Sequence, residues 1–185
     1  MLDTIQKGKL LLSDPSLLQD MVFGRSVILI TEYNSDGATG FMVNKPINYA
    51  VSDLVPDVEI PFPVYNGGPV EQDNLYFIHN KPEIIPYSTE ISDGIFWGGD
   101  FETVKKQINT GNISEHNIRF FLGYSGWGVG QLEDELQSNS WIVVENTYKS
   151  SILSKAQTDF WKEQLEALGE KYIIWSNAPE NPEFN

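Results

Sequence analysis

Short apolar runs separated by turn residues extend along most of the chain, which predicts many short strands. Residues 26–31 are apolar and rich in β-branched side chains, and Asn34-Ser35-Asp36-Gly37 has the composition of a tight turn. Residues 39–44 then predict the second arm of a hairpin. The same pattern predicts further strands at 9–12, 64–66, 75–79, 95–97, 118–122, 141–144 and 172–175.

Helical periodicity is confined to a few segments. Asp14 and Pro15 predict the start of a short helix that ends at Gly24, and Asp100 predicts the N-cap of a second helix. Apolar residues recur at helical spacing over 152–168, and Gly169 ends that pattern. Many strands with few, scattered helices indicate an α+β fold rather than regular βαβ alternation. We expect one compact domain over residues 1–177 and a polar tail over 178–185.

The composition excludes several classes of protein. The 185 residues include 26 acidic and 12 basic side chains, giving a formal net charge of −14, which would repel nucleic acid. We therefore expect no direct binding to DNA. The chain has no cysteine, so disulfides and thiolate metal sites are excluded. No apolar run approaches the ~20 residues that span a bilayer, and none resembles a signal peptide, so we expect a cytoplasmic protein without membrane contact.

The densest candidate for chemistry is the glycine-rich segment 123–131, which follows a predicted strand and precedes a predicted helix. Such a turn can cradle phosphate, but Gly130-Gln131-Leu132 lacks the Lys and hydroxyl residues of a P-loop. Ser125 suggests a nucleophile, although Trp127 stands where the Gly-x-Ser-x-Gly elbow requires its last glycine. The favoured interpretation is a tight turn in which Trp127 packs or serves as an interface anchor.

Two further features could carry a site. Asn66-Gly67-Gly68-Pro69 is a turn that either shapes the chain or brings its backbone close to a ligand. Arg25, beside Gly24 and an apolar strand, is expected to be at least half-buried and to pair with a carboxylate or cap helix carbonyls. The chain has only two histidines and no His-x-x-x-His spacing, so we predict neither a metal nor a cofactor.

Four segments in order resemble the YqgE/AlgH family of bacterial proteins. They are Gly8 to Pro15 with Phe23 to Ile28, Gly37 to Pro46, Gly67-Gly68-Pro69-Val70, and Gly123 to Glu133. The resemblance implies a compact α+β domain with a mixed, bifurcated sheet folded into a pseudo-barrel with flanking helices. It implies no established reaction. Ser125 stands where the family more usually has Ala, which weakens the case for a nucleophile.

One member of that family has been assigned a role in transcriptional regulation, so the resemblance implies a regulatory protein. Together with the acidic charge, it favours action through a protein partner rather than on DNA. The alternative is a small-molecule binder or enzyme that uses a cleft between the Gly67–Pro69 and Gly126–Gly130 turns, with Arg25 and Asn44 as polar contacts. The candidate binding residues, for ligand or partner, are Arg25, Asn44, Gly67, Gly68, Pro69, Gly126, Trp127, Gly128, Gly130 and Gln131.

Overall fold

The computed structural model describes residues 4–155 and 159–179. Within them the chain forms ten strands and five α-helices in one mixed α+β domain. The strands are β1 Leu10–Ser13, β2 Val27–Asn34, β3 Gly37–Met42, β4 Pro46–Ala50, β5 Pro63–Asn66, β6 Val70–His79, β7 Thr89–Ser92, β8 Ile95–Trp97, β9 Ile118–Trp127 and β10 Trp141–Val144. The helices are α1 Val51–Leu54, α2 Phe101–Asn109, α3 Gln131–Gln137, α4 Phe160–Ala167 and α5 Ile173–Ser176.

The strands form one branched sheet, in which the order β10-β1-β2-β3-β9-β6-β8-β7 is joined by β5 and β4 at the side of β9. All the pairs are antiparallel except β5 with β9. The first half of β9 lies between β5 and β6, whereas its second half pairs with β3. The expected α+β fold with a bifurcated sheet is therefore confirmed. The pseudo-barrel is not closed, because among the described strands β10 and β7 remain as unjoined ends of the order.

The branch in the sheet lies at Gly123, whose φ of 71° favours glycine. This conformation shifts the alternation of side chains along β9 by one residue. As a result Phe121 and Tyr124 pack into the same core, although Phe120 and Leu122 pack into another. Trp127, at the end of the strand, belongs to a third core. One strand therefore supplies side chains to all three apolar clusters.

The hairpin of β2 and β3 is confirmed, with Asn34 opposite Gly37 across the predicted turn. Two other predictions were wrong. Residues 172–175 form no strand, because the chain turns from a 3-10 helix, Glu170–Tyr172, directly into α5. The expected helix over 152–168 is divided into a 3-10 helix, Lys149–Ser154, and α4. The first of these ends at Lys155, which is extended, and the 156–158 part of the prediction lies outside the described residues.

The helix predicted after Asp14 is also shorter than expected. It is a single 3-10 turn, Pro15–Leu17. The Asp14 carboxylate caps this turn by accepting the amide hydrogen of Ser16 at 2.9 Å. The helix predicted after Asp100 is confirmed as α2. The Asp100 carboxylate accepts the amide hydrogen of Thr103 at 2.9 Å, as an N-cap residue does.

Candidate functional site

The glycine-rich segment is mostly strand rather than loop. β9 continues through Trp127, and only residues 128–130 form the turn that leads into α3. Trp127 is 6% exposed, and its indole Nε1 donates a hydrogen bond to Glu135 at 2.9 Å. This burial argues against Trp127 as an interface anchor, because the ring packs in the core and its N–H already has an acceptor.

The exposed turn after Trp127 is held by its own side chains. The amide of Gly128 donates to Gln131 Oε1 at 3.0 Å, and Gln131 Nε2 donates to Glu135 at 2.9 Å. Gly130 has a φ of 73° at the N-cap of α3, and acidic residues follow in the first turn of that helix. Those carboxylates would repel a phosphate at this helix terminus.

The Gly67-Gly68-Pro69 turn lies directly against β9. A Cβ on Gly68 would stand 2.3 Å from the Tyr124 carbonyl, and a Cβ on Gly67 would stand 2.2 Å from the Gly123 oxygen. Ser125, which is fully buried, donates its hydroxyl to the Gly67 carbonyl at 3.0 Å. The close approach that these glycines permit is therefore to another strand. Between Gly68 and this part of β9 no cleft opens, and the Ser125 hydroxyl is inaccessible to a substrate.

Arg25 and Asn44, the two predicted polar contacts, line one cavity of about 540 Å³. The guanidinium of Arg25 donates to the carbonyls of Ala178 and Pro179 at 3.0 and 2.9 Å, just beyond α5. Asn44 accepts from the amide of Val27 and donates to the carbonyl of Arg25. The predicted half-burial of Arg25 is thus observed, whereas its carbonyl partners lie beyond a helix and not within one. Neither glycine turn contributes to this cavity, and the rest of the predicted tail, 180–185, lies outside the described residues.

The polar residue His79 is fully buried at the end of β6. Its Nε2 lies 3.0 Å from the Gly98 carbonyl, and its Nδ1 accepts the amide hydrogen of Lys81 at 3.1 Å. Burial lowers the pKa of His79 below its ordinary value, and the bond to Gly98 opposes that shift in part. The imidazole is therefore held neutral with both nitrogens in use, as a structural residue.

Arg119 is a buried cation that the sequence did not identify. Its guanidinium donates to the carbonyls of Val43, Leu153 and Lys155 at 2.8, 2.8 and 3.2 Å. It also lies 4.6 Å from the ring centre of Tyr65. Burial lowers the pKa of Arg119, although a guanidinium stays charged at physiological pH. Arg119 thereby ties β9 to the end of β3 and to the segment after the second 3-10 helix.

A second cavity, of about 440 Å³, opens where the sheet branches, and four of its walls are aromatic: Phe41, Tyr76, Trp97 and Tyr124. We call it the aromatic cleft. The rings of Phe41 and Tyr76 lie 5.8 Å apart, and those of Tyr76 and Tyr124 also lie 5.8 Å apart, edge to face. Trp97 stands on β8 with 42% of its surface exposed. The cleft therefore offers a continuous aromatic surface of a size that suits a small ligand or an inserted side chain.

Irregular strand pairing surrounds the aromatic cleft on three sides. The register shifts between Ile30 and Glu32 in β2, between Val70 and Leu75 in β6, and between Glu90 and Ser92 in β7. Bulges of this kind re-aim side chains at binding sites. In β2 the shift leaves Thr31 lining the cleft, with its hydroxyl 3.1 Å from that of Thr39.

The hydroxyl of Tyr76 donates to the Glu71 carboxylate, at the irregular start of β6. Burial and this bond raise the pKa of Tyr76, and the same bond, with one from Asn74, lowers the pKa of Glu71. Glu71 has a φ of 50°, an uncommon conformation for a residue with a side chain. The strained residue Glu71 thus accepts the hydrogen bond that orients Tyr76, one wall of the cleft.

Sequence reasoning did not find the cleft, because its walls come from six strands that are separated along the chain. It singled out Trp127 among the tryptophans, whereas the structure shows Trp97 exposed and Trp127 buried. A local signal did exist, since Trp97 is followed at once by Gly98-Gly99, which ends its strand.

Residues 4–155 and 159–179 contain no group of three or more His, Asp or Glu side chains placed to hold a metal ion. Within the same ranges, no helix has the length and apolar character needed to cross a membrane.

The branched sheet, with a cleft at its branch, defines a mixed α+β protein of a single domain. Residues 10–173 match the family described as AlgH-like, and the chain belongs to that family. The resemblance noted in the sequence is thus confirmed. A UPF0301 protein of Chlorobium limicola is 41% identical over 184 residues, which cover 99% of this chain and 97% of the relative. Another, of Bacteroides thetaiotaomicron, is 41% identical over 183 residues, covering 97% and 91%.

Solved structures agree with the fold. The solution structure of the AlgH protein from Pseudomonas aeruginosa superposes with a TM-score of 0.71 at 26% identity, covering 96% of both chains. A crystal structure of a protein from Corynebacterium diphtheriae gives a TM-score of 0.74 at 22% identity, covering 96% of this chain and 95% of the other. At that identity the second likeness supports the fold alone.

Proposed function

We propose that the protein is a cytoplasmic regulatory protein that acts by binding a protein partner, and that the aromatic cleft is its contact surface. The observation that carries the proposal is the exposure of Trp97 beside the rings of Tyr76 and Tyr124. Aromatic side chains in a concave, partly desolvated site are the usual energetic anchors of protein interfaces. The cleft replaces Trp127 as the surface that we expect a partner to contact.

The distribution of cations supports a protein partner over DNA. The one adjacent pair of basic residues is Lys105-Lys106, and Lys105 lies 3.1 Å from Asp57 and 2.8 Å from Glu102. Its charge is therefore offset locally, in a protein whose net charge is already −14. Proteins bind phosphate backbones through clusters of cations that are not already neutralised, so duplex DNA would gain little binding energy on this surface.

The test is affinity capture from cell extract with the parent protein, Trp97→Ala and Trp175→Ala. Trp175 is the matched control, because it is 49% exposed on α5 and does not line the aromatic cleft. We expect the specific partners to be lost from Trp97→Ala and retained by Trp175→Ala. Identical partner lists for the parent and Trp97→Ala would refute the proposal.

A second candidate function is the binding of a small molecule, favoured by the 540 Å³ cavity around Arg25. The charged residues that line it are Arg25, Lys45 and Lys162 against one acid, Asp159, so an anionic metabolite suits its net charge. We place the candidate ligand site in this cavity rather than between the two glycine turns, because Gly68 packs directly against the backbone of β9. A thermal-shift screen with metabolite acids tests it, since a ligand at 100 times its dissociation constant adds about 2.7 kcal/mol of stability.

A further inference from the structure

We infer that the aromatic cleft recognises an organic cation, namely the side chain of a Lys or Arg residue on a basic segment of the partner. The inference rests on the proposed function and adds the chemistry by which the partner is recognised. It follows from the combination of ring faces, carboxylates and net charge around one cavity.

The rings supply the first part of the argument. Phe41, Tyr76 and Tyr124 follow one another with 5.8 Å between successive ring centres, and Trp97 adds an exposed indole to the lining. Phe41 is only 3% exposed and stacks on Phe121, so the rings that a ligand reaches are those of Tyr76, Tyr124 and Trp97. The faces of aromatic rings carry negative potential, and Trp attracts a cation most strongly. A Lys or Arg side chain also has an apolar stem, which can pack along such rings while its charged end meets their faces.

The rim supplies the second part. Glu32 and Glu90 line the cleft and are exposed. Oε1 of Glu32 accepts a hydrogen bond from the Asn34 side-chain amide at 2.9 Å, and its other carboxylate oxygen can meet a ligand. Lys7 is the cation of this lining, and its ammonium donates to the backbone carbonyl of Glu90 at 3.3 Å. The chain thus already directs an ammonium group to this rim. The carboxylates of Glu32 and Glu90 would attract a partner cation that enters the cleft.

The whole molecule supplies the third part. With 26 acidic and 12 basic side chains, its long-range field attracts a basic segment and speeds its encounter with the cleft. An acidic or phosphorylated segment would be repelled by the same field. Charge complementarity therefore selects a basic partner among the protein segments that could insert an apolar stem.

The experiment uses the intact protein and simple probes. Blocked lysine (N-acetyl-lysine N-methylamide) and blocked norleucine, which has a neutral side chain of similar length, are titrated while the indole N–H signal of Trp97 is followed by NMR. That signal is assigned from its absence in Trp97→Leu. We expect blocked lysine to shift the signals of Trp97 but not of Trp175, with at least tenfold weaker binding of blocked norleucine.

Three variants separate the site from general attraction to an acidic surface. Trp97→Leu keeps an apolar side chain but removes the ring face, and we expect it to weaken lysine binding about tenfold. Because this variant lacks the indole signal, its binding and that of the parent are compared through the backbone amide signal of Tyr124, which also lines the cleft. Glu90→Gln should weaken it severalfold, whereas Glu115→Gln, which removes the same charge from an exposed loop outside the cleft, should not. Equal effects of the two Glu variants would overturn the inference.

The remaining outcomes distinguish this inference from the proposed function. If norleucine binds as well as lysine while Trp97→Ala still loses its partner, the cation is wrong and the partner surface stands. If lysine binds at Trp97 but partner capture does not depend on that residue, the proposed function fails and the cation site stands. Binding of a free diamine such as putrescine more than a hundredfold tighter than blocked lysine would overturn a partner side chain as the source.

Discussion

The indole Nε1 of Trp127 and Oε2 of Glu135 are joined by a hydrogen bond of 2.9 Å, and the same oxygen accepts a second indole hydrogen, from Trp141, at 2.7 Å. The two indole rings meet edge to face with centres 5.8 Å apart. A single carboxylate on α3 therefore satisfies two buried donors and fastens the helix to the sheet. The arrangement explains why the turn before α3 holds a fixed position.

Replacing Glu135 with Ala should destabilise the protein by about 2–4 kcal/mol, because two buried N–H groups lose their acceptor. Glu135→Gln keeps an oxygen acceptor and should cost less than half as much. The free energy of unfolding in urea measures both. Gln137→Ala, at an exposed position of α3, is the control and should change it by less than about 0.5 kcal/mol. A similar cost for Ala and Gln at residue 135 would contradict the two-donor arrangement.

Protonation of His79 should make the protein less stable in mild acid. Its pKa in the folded state is lowered from the ordinary value of 6.5, so the unfolded chain binds the proton more readily. The stability that neutral His79 contributes is therefore present above pH 6.5 and decreases as the pH falls below it. The largest slope for one group is about 1.4 kcal/mol per pH unit.

Urea unfolding at successive pH values from 8 to 5 measures this slope for the parent, His79→Gln and His116→Gln. The slope below pH 6.5 should become shallower in His79→Gln and persist in His116→Gln, because the second variant retains the buried imidazole. An unchanged slope in His79→Gln would show that another group causes the acid sensitivity.

Loss of the Arg119 guanidinium should be costly even though no carboxylate is among its observed hydrogen-bond partners. Arg119→Met leaves three carbonyl acceptors without that donor, and we expect a loss of roughly 3 kcal/mol in the free energy of unfolding. Lys106→Met removes the same charge at an exposed position of α2 and should change it by less than about 0.5 kcal/mol. Equal effects would mean that net charge, rather than the buried contacts, decides the outcome.

Gly123 should tolerate no side chain. A Cβ there would stand 2.5 Å from the Gly68 oxygen and 2.8 Å from the Val70 oxygen. Gly130 is the matched control, because its φ of 73° is close to the 71° of Gly123 but nothing lies within 4 Å of its Cβ position. Both Ala variants suffer the backbone cost of about 1–2 kcal/mol.

Gly123→Ala should lose roughly 2 kcal/mol more than Gly130→Ala in urea unfolding, because only Gly123 is in contact with neighbouring backbone oxygens. Near-ultraviolet circular dichroism should also change in Gly123→Ala alone, since the shift at Gly123 places Tyr124 in its core. Equal destabilisation of the two variants would remove the close contact as the cause.

The sequence predicted those features that neighbouring residues determine. The β2–β3 hairpin follows from its turn residues, and the α+β class follows from the number and spacing of apolar runs. The shift of alternation at Gly123 could not be predicted, because its φ is fixed by packing against Gly68 and Val70, which are distant along the chain. The exposure of Trp97 likewise depends on how distant strands are arranged around it. The half-burial of Arg25 could be predicted from its place beside an apolar strand, but its partners, Ala178 and Pro179, could not, because they are distant along the chain.

Because β9 contributes side chains to three apolar clusters, it couples their unfolding. Withdrawing this strand would open all three clusters at once, so neither arm of the branch can melt while the other stays intact. The protein should unfold in a single cooperative step. Its slowest amide hydrogen exchange should lie at Phe120 and Phe121, where β9 has a bonded neighbour on each side.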